Sequence, residues 1–371
     1  RREIVFSISL RLHRLRSGVR IEMRKSGIYG WLLGVCMASG LSGCGSEPAQ
    51  DYVSQGMELI EKMDYESALT CFEAAALDKE DMRMVYRGQG LAYMGMTDYE
   101  NAAASLEKAL AQSGPQPDTV DYDINYYLAT AYYRNGQTDR AIDVYEAITD
   151  LLPGEKTAWY LKGTLELEKG NHEAAKTAFD SAVEAEEEDY DLRIDIFCSC
   201  SKYGADELGA SYLQAVLDDG SKKLSDFDRG RISFYLGDYE QARTSLEKAQ
   251  EVGGAEAASL LGQTYEALGD YNYAASVYST YLETKEPDAA IYNQLGLCKL
   301  KGGDYEAALA AFQAGMNVEG NTVTQSLKFN EIVAYEYLGQ YDKAKLAMEQ
   351  YLALYPDDEK AQREAVFLKT R

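Results

Sequence analysis

From about residue 51 onward, small, aromatic and polar residues recur with a period close to 34. The segments LGDYEQARTSLEKA (236–249), LGDYNYAASVYSTY (268–281) and GGDYEAALAAFQAG (302–315) align with one another. One small residue marks each unit, and these residues are Ala68, Ala102, Ala141, Ala175, Gly209, Ala242, Ala274, Ala308 and Ala344. Their spacings run from 32 to 39 residues, which indicates about nine copies of one unit.

Within each unit, the apolar positions follow the helical period twice. In the unit at 255–284, Gly269 is expected to end a first helix with a positive φ, and Asp270 to cap a second. The two apolar faces consist of Leu261, Gly262 and Tyr265, and of Ala274, Tyr278 and Tyr281. The small residues let the two helices approach closely. Neither helix can bury its apolar face alone, so neighbouring units must stack.

This pattern resembles the tetratricopeptide repeat (TPR) family over roughly residues 51–357. The family motif has a small residue on the first helix, a position called the small slot below, and a Phe on the second helix. The small slot is filled by Gly56, Gly90, Gly163, Gly230, Gly262 and Gly296, and the Phe position by Phe72, Phe179 and Phe312. The resemblance implies an all-α, TPR-like α-solenoid of about nine helix-turn-helix repeats. Residues 358–371 follow as a C-terminal capping helix, since their pattern is amphipathic.

Two stretches depart from the repeat pattern. In the unit at 190–221, Phe197 takes the slot that is Gly elsewhere, and Gly209 replaces the marker Ala. The longest spacing contains QSGPQPD (112–118), whose prolines exclude a continuous helix. Either departure is a candidate kink in the stack.

The first 50 residues have a different character. The first Met is Met23, and Arg24 and Lys25 then precede the uncharged, apolar segment 26–43, as in a secretory signal peptide. This run is shorter than the roughly 20 residues that a permanent transmembrane helix needs. We therefore expect translation to start at Met23, with 1–22 an upstream extension that is untranslated or unstructured. The alternative is that 1–22 forms a basic arm on a membrane surface.

The quartet Leu-Ser-Gly-Cys at 41–44 resembles the bacterial lipobox. That resemblance implies that residues 23–43 are a lipoprotein signal peptide and that Cys44 becomes the lipidated first residue, with 44–50 as a short tether. A signal peptide with a chance Cys is the alternative. More than one acyl chain on Cys44 gives firm membrane anchoring.

Charge narrows the choice of partners. The chain carries 37 Lys and Arg against 61 Asp and Glu, a formal charge of −24, and eight of the bases lie in residues 1–43. Polyanions repel one another, so nucleic acid is excluded as an expected partner of the acidic repeat region.

The sequence offers little catalytic chemistry. His13 precedes the expected mature chain, which leaves His172 alone, so no Ser–His or Cys–His pair is available. We therefore predict no catalytic residue, no cofactor and no enzymatic activity.

We predict no metal site from the cysteines or the acidic residues. The stretch EAEEEDYD (184–191) lacks the spaced ligands and central Gly of an EF-hand loop, so we interpret it as a solvated turn between repeats. We interpret the remaining cysteines as small, mostly buried apolar residues: Cys71, Cys198, Cys200 and Cys298.

The family resemblance also implies a site. In TPR proteins the first helices line a concave groove that binds peptides. By register, the groove residues are Tyr126, Tyr133, Tyr160, Phe227, Arg231, Phe234, Asn293 and Phe329. Aromatic residues are suitable anchors for a protein or peptide partner, although packing between neighbouring units is an equally open interpretation. These residues do not reproduce the carboxylate clamp of chaperone-binding TPR domains.

The resulting hypothesis is a non-catalytic protein–protein interaction scaffold or assembly factor in the bacterial cell envelope. Lipid on Cys44 would hold it at the non-cytoplasmic side of a membrane. The alternative is a solute- or glycan-binding lipoprotein that uses the aromatic groove. The sequence leaves the partner and the oligomeric state open.

Overall fold

The computed structural model describes residues 51–220, 223–250 and 252–371. The lipobox Cys44 and the boundaries expected before residue 51 lie outside this part of the chain. Every regular element in the described residues is an α-helix. The helices are α1 (Tyr52–Glu61), α2 (Tyr65–Leu77), α3 (Met82–Gly95), α4 (Tyr99–Leu110), α5 (Thr119–Arg134), α6 (Thr138–Leu151), α7 (Lys156–Glu168), α8 (His172–Ala185), α9 (Tyr190–Lys202), α10 (Asp206–Asp218), α11 (Asp226–Tyr235), α12 (Tyr239–Ala249), α13 (Gly254–Ala267), α14 (Tyr271–Thr284), α15 (Ala289–Lys301), α16 (Tyr305–Met316), α17 (Thr324–Tyr337), α18 (Tyr341–Leu354) and α19 (Glu359–Leu368).

These helices form nine consecutive pairs followed by one single helix. The odd-numbered helices α1 to α17 are the first helices of the repeats, and α2 to α18 are the second helices. In most repeats the second helix packs between its own first helix and the next one, and most first helices also contact the first helices of neighbouring repeats. The predicted fold of about nine helix pairs with a final capping helix is confirmed. Because contacts stay local along the chain, each repeat depends on its neighbours for burial.

The turn inside each repeat has a fixed geometry. Seven repeats place a Gly with positive φ just after the first helix, and Gly269 at φ +83° is the predicted example. The first two repeats place Met63 and Thr97 there, both at φ 61°. Asp270 takes the N-cap position as predicted, but its side chain makes no capping hydrogen bond, so that part of the prediction was wrong.

Close approach of the two helices explains why Gly fills the small slot. A Cβ added at Gly262 would lie 2.2 Å from the ring of Tyr278, and one at Gly296 would lie 2.3 Å from Phe312. The ring of the second helix therefore occupies the volume that a side chain would need. All eight marker alanines, which lie on the second helices, are fully buried.

In the irregular fifth repeat the two helices still approach closely, because the bulky residue lies on the first helix and the small residue on the second. A Cβ at Gly209 on α10 would lie 3.0 Å from the Cα of Phe197 and 2.8 Å from the Cβ of Cys200. The second helix thus supplies the small residue, and the Phe197 ring turns toward Tyr235 of the next repeat, with ring centroids 5.9 Å apart. This exchange lets the unit at 190–221 form an ordinary helix pair.

The extra stretch in the third repeat is held by one buried carboxylate. The chain leaves α4 at Leu110 and enters α5 at Thr119, as its prolines predict. Asp121 is 3 % exposed and accepts hydrogen bonds from the guanidinium of Arg83 (3.1 Å), the backbone N–H of Asp118 (3.0 Å) and the hydroxyl of Ser113. It thereby ties the inserted loop to α3 and α5.

We expect Asp121→Ala to lower the free energy of unfolding by about 1–2 kcal/mol, because three donors lose their acceptor. Chemical denaturation followed by circular dichroism measures the change. Exposed Asp78, which closes α2, provides the matched control, and Asp78→Ala should change stability little. Equal losses in both variants would contradict this role.

Candidate interaction surface on the first helices

The eight predicted groove residues all lie on first helices, but they form three separate groups. Tyr126 and Tyr133 lie on α5 and Tyr160 on α7. The remaining members lie on α11 (Phe227, Arg231 and Phe234), on α15 (Asn293) and on α17 (Phe329). The structure therefore confines each group to one or two adjacent repeats.

The first group bridges three consecutive repeats through hydroxyl groups. The hydroxyls of Tyr133 and Tyr203 both donate to Oε2 of Glu168, at 2.7 and 3.0 Å. The hydroxyl of Tyr160 lies 2.9 Å from Oγ of Ser199 on the following first helix. Tyr126 packs on Tyr145 of its own second helix, with ring centroids 6.0 Å apart. Much of the surface of these side chains is therefore in contact with neighbouring helices.

The second group is built around a buried arginine. The Arg231 side chain is 10 % exposed and lies over the Phe227 ring, 5.1 Å from its centroid. Its guanidinium contacts the carboxylates of Asp191 on α9, Asp228 on α11 (2.8 Å) and Glu256 on α13 (3.7 Å). Burial acts to lower the pKa of Arg231, but the three carboxylates raise it overall, so the side chain stays charged. One cation therefore joins three consecutive first helices.

The third group belongs partly to the core. Nδ2 of Asn330 donates to Oδ1 of Asn293 at 2.9 Å, which joins α17 to α15. Phe329 is 8 % exposed and packs edge-on against Tyr351 of α18. Packing between units accounts for the observed contacts of Asn293 and Phe329, and their role in partner binding stays a prediction, as it does for the other six residues.

Sequence reasoning missed the acidic residues that pair with this surface. Asp123, Asp191 and Glu256 each lie six residues before the small slot of their repeat, and each contacts an arginine of a neighbouring first helix. Arg87 on α3, which sequence reasoning also missed, pairs with Asp123. This shared offset could have identified the acidic residues from the sequence, because one register position on stacked helices faces the same way in every repeat.

The residues considered for chemistry lie apart from one another. Cys200 and Cys298 are buried and Cys71 is partly buried, but Cys198 is exposed, which corrects its predicted burial. His172 is exposed at the start of α8. Across the described residues, no group of three or more His, Cys, Asp or Glu could hold a metal ion.

The acidic turn between α8 and α9 makes contacts across repeats. Nζ of Lys156, at the start of α7, lies 2.5 Å from Oδ2 of Asp189 and also pairs with Glu186. The segment interpreted as a solvated turn is thus a half-exposed ion-pair site between adjacent repeats. Among the described residues, no helix has the length and apolar character to cross a bilayer.

Family models describe most of the repeat region. A tetratricopeptide repeat model matches residues 53–117, 87–156, 126–190, 227–289 and 260–316, and a second tetratricopeptide repeat model matches 329–358. These matches together span more than half of the chain. A comparison with curated proteins gave no match.

Two solved structures illustrate what this chain is similar to. A tetratricopeptide repeat protein from Parabacteroides merdae ATCC 43184 is 16 % identical, with 67 % of this chain and 98 % of that chain covered and a TM-score of 0.42. A structure of MamA is 19 % identical, with 44 % and 92 % covered and a TM-score of 0.36.

Proposed function

The chain belongs to the tetratricopeptide repeat family, and we propose that it is a non-catalytic scaffold that binds a protein partner on its first helices. The proposal includes export and anchoring by lipid on Cys44, at the non-cytoplasmic side of a bacterial membrane. The family supports the binding role, since TPR proteins generally mediate protein–protein interactions. The envelope location rests on the lipobox-like quartet at 41–44 and the apolar segment before it.

The observation that carries the binding proposal is the set of side-chain contacts that join neighbouring first helices. Arg231 fixes α9, α11 and α13 relative to one another, and Glu168 does so for α5, α7 and the end of α9. A surface that is held rigid before binding loses less conformational entropy when a partner docks. Phe227 and Phe234 are half-buried on α11, the helix that carries Arg231, and we take them as the main anchors among the predicted residues.

Site-specific photo-crosslinking of the full-length protein in its native membrane tests the binding face. A photoreactive amino acid at position 234, on first helix α11, should capture one discrete protein. The same group at position 346, where Leu346 on second helix α18 is exposed, is the matched control and should not capture that protein. Equal capture at both positions, or none at either, would refute the proposal.

Metabolic labelling with a fatty-acid analogue tests the anchor separately. The wild-type protein should carry the label, Cys44→Ser should lose it, and Cys198→Ser should keep it because Cys198 lies on α9 in the repeat region. Label retained in Cys44→Ser, or absent from the wild type, would sink the lipoprotein assignment without affecting the binding proposal.

A further inference from the structure

A cleft of about 380 Å³ lies between the second helices of the fourth and fifth repeats. Val183 on α8 and Ala215 on α10 supply apolar surface to its walls, and Arg193, near the start of the first helix α9, also lines it. Sites for small molecules have volumes of about 300–1,000 Å³. The cleft therefore has the size of a site for a small ligand, and it contains a guanidinium group.

Main-chain carbonyl groups hold the Arg193 guanidinium in place. Its Nε and Nη2 donate to the carbonyl oxygen of Glu187 at 3.4 and 3.3 Å, and its Nη1 donates to the carbonyl oxygen of Tyr212 at 3.2 Å. A guanidinium carries five N–H donors. One N–H on Nη1 and one on Nη2 thus have no acceptor among the described residues. These two terminal nitrogens are a pair that a carboxylate can bridge with its two oxygens.

Arg193 also lacks the counter-charge that other arginines of this chain have. Arg83, Arg87 and Arg231 each form an ion pair with a carboxylate. Within the described residues, the hydrogen bonds of Arg193 go to neutral carbonyl groups. Burial lowers the pKa of Arg193, and the neighbouring groups do not cancel this effect. Since a guanidinium stays charged in proteins, its burial without a partner is unfavourable, and a bound carboxylate would offset that cost.

The charges around Arg193 restrict which anion the cleft accepts. Lys176 and Asp180 on α8 neutralise each other, with Nζ and Oδ2 2.6 Å apart. Glu184, one turn further along α8, is exposed and lines the cleft, as does Glu187 in the following turn. These carboxylates repel an anion with several charges. A ligand that carries one carboxylate and one ammonium group instead complements both Arg193 and Glu184.

We propose that this cleft binds an amino-acid zwitterion, either a free amino acid or an unblocked short peptide, with its carboxylate on Arg193 and its ammonium group beside Glu184. The apolar surface of Val183 and Ala215 would contact an aliphatic side chain of the ligand. Because the cleft lies between second helices, the inference is independent of the binding proposed for the first helices.

Isothermal titration calorimetry of the full-length protein tests the class of ligand. We expect saturable binding of L-leucine or of the dipeptide L-alanyl-L-alanine, and the tighter of the two identifies the source as a free amino acid or a peptide. The amide of that probe lacks the carboxylate and should bind at least about tenfold more weakly, because the two terminal donors of Arg193 lose their acceptor. The N-acetylated probe lacks the ammonium group and should also bind more weakly.

Substitutions in the cleft assign these two contacts. Arg193→Gln should bind the probe at least about tenfold more weakly and should no longer distinguish it from its amide. Glu184→Gln should reduce the difference between the probe and its N-acetylated form. Lys202→Gln on the same helix α9 is the matched control, since Lys202 is exposed, and it should bind the probe as the wild type does.

Two results with the wild-type protein would overturn the proposal without any variant. These are the absence of saturable binding of both probes, and equal binding of a probe and its amide. A folded Arg193→Gln variant, as judged by circular dichroism, that keeps the wild-type affinity would overturn it as well. None of these results bears on whether the first helices bind a protein.

Discussion

Phe312→Ala is expected to lower the free energy of unfolding by about 3–5 kcal/mol. The ring is fully buried on α16 and fills the space left open by Gly296 on α15. Removing it leaves a cavity between two helices whose glycine offers no side chain to fill it. Because stability in a repeat array depends on contacts between neighbours, the loss should spread to α14 and α17. Urea denaturation followed by circular dichroism measures the total effect.

Phe367→Ala is the matched control, because this phenylalanine on α19 is 38 % exposed. Its replacement should cost less than about 1.5 kcal/mol, since little apolar area returns to water. A Phe312→Ala variant that loses no more than the Phe367→Ala variant would show that ring and glycine are not packed as described.

The repeats were predictable because their packing is local. Gly262 and Tyr278 lie 16 residues apart, and the same spacing joins Gly296 to Phe312, so one short pattern encodes one helix pair. The turn glycine is equally local, since positive φ favours Gly within the turn itself. The prolines at 115 and 117 predicted the inserted loop because their effect on the backbone is also local.

The surface contacts were harder to predict because they join different repeats. Arg231 lies 40 residues from Asp191, and nothing in either local pattern selects the other as its partner. The fifth repeat shows a second limit of prediction from sequence. The exchange of Gly and the bulky residue between α9 and α10 is recognised only when the two packed helices are considered together. Cys198 was wrongly predicted as buried because helical register alone does not distinguish the core side from the first-helix surface.

Arg231→Met is expected to lower the free energy of unfolding by about 2–3 kcal/mol. Met keeps the apolar contact with Phe227 but removes the charge, which leaves Asp228 at 20 % exposure without its cation. The expected loss is below that of a fully buried pair, because Asp191 and Glu256 are 75 % and 60 % exposed and water can solvate them.

A second substitution distinguishes loss of the Arg231 ion pairs from nonspecific destabilisation. Adding Asp228→Asn to Arg231→Met should recover part of the stability, since the stranded charge disappears, and a double-mutant cycle measures that coupling. Arg243→Met is the matched control, because the Arg243 side chain is 39 % exposed and forms its ion pair with Glu240 of its own helix, so its loss should have little effect. If Arg231→Met instead left stability unchanged but abolished capture from position 234, Arg231 would act on the partner and not as the tie between α9, α11 and α13. A loss of stability with partial recovery in the double variant would assign it to the scaffold that presents the surface.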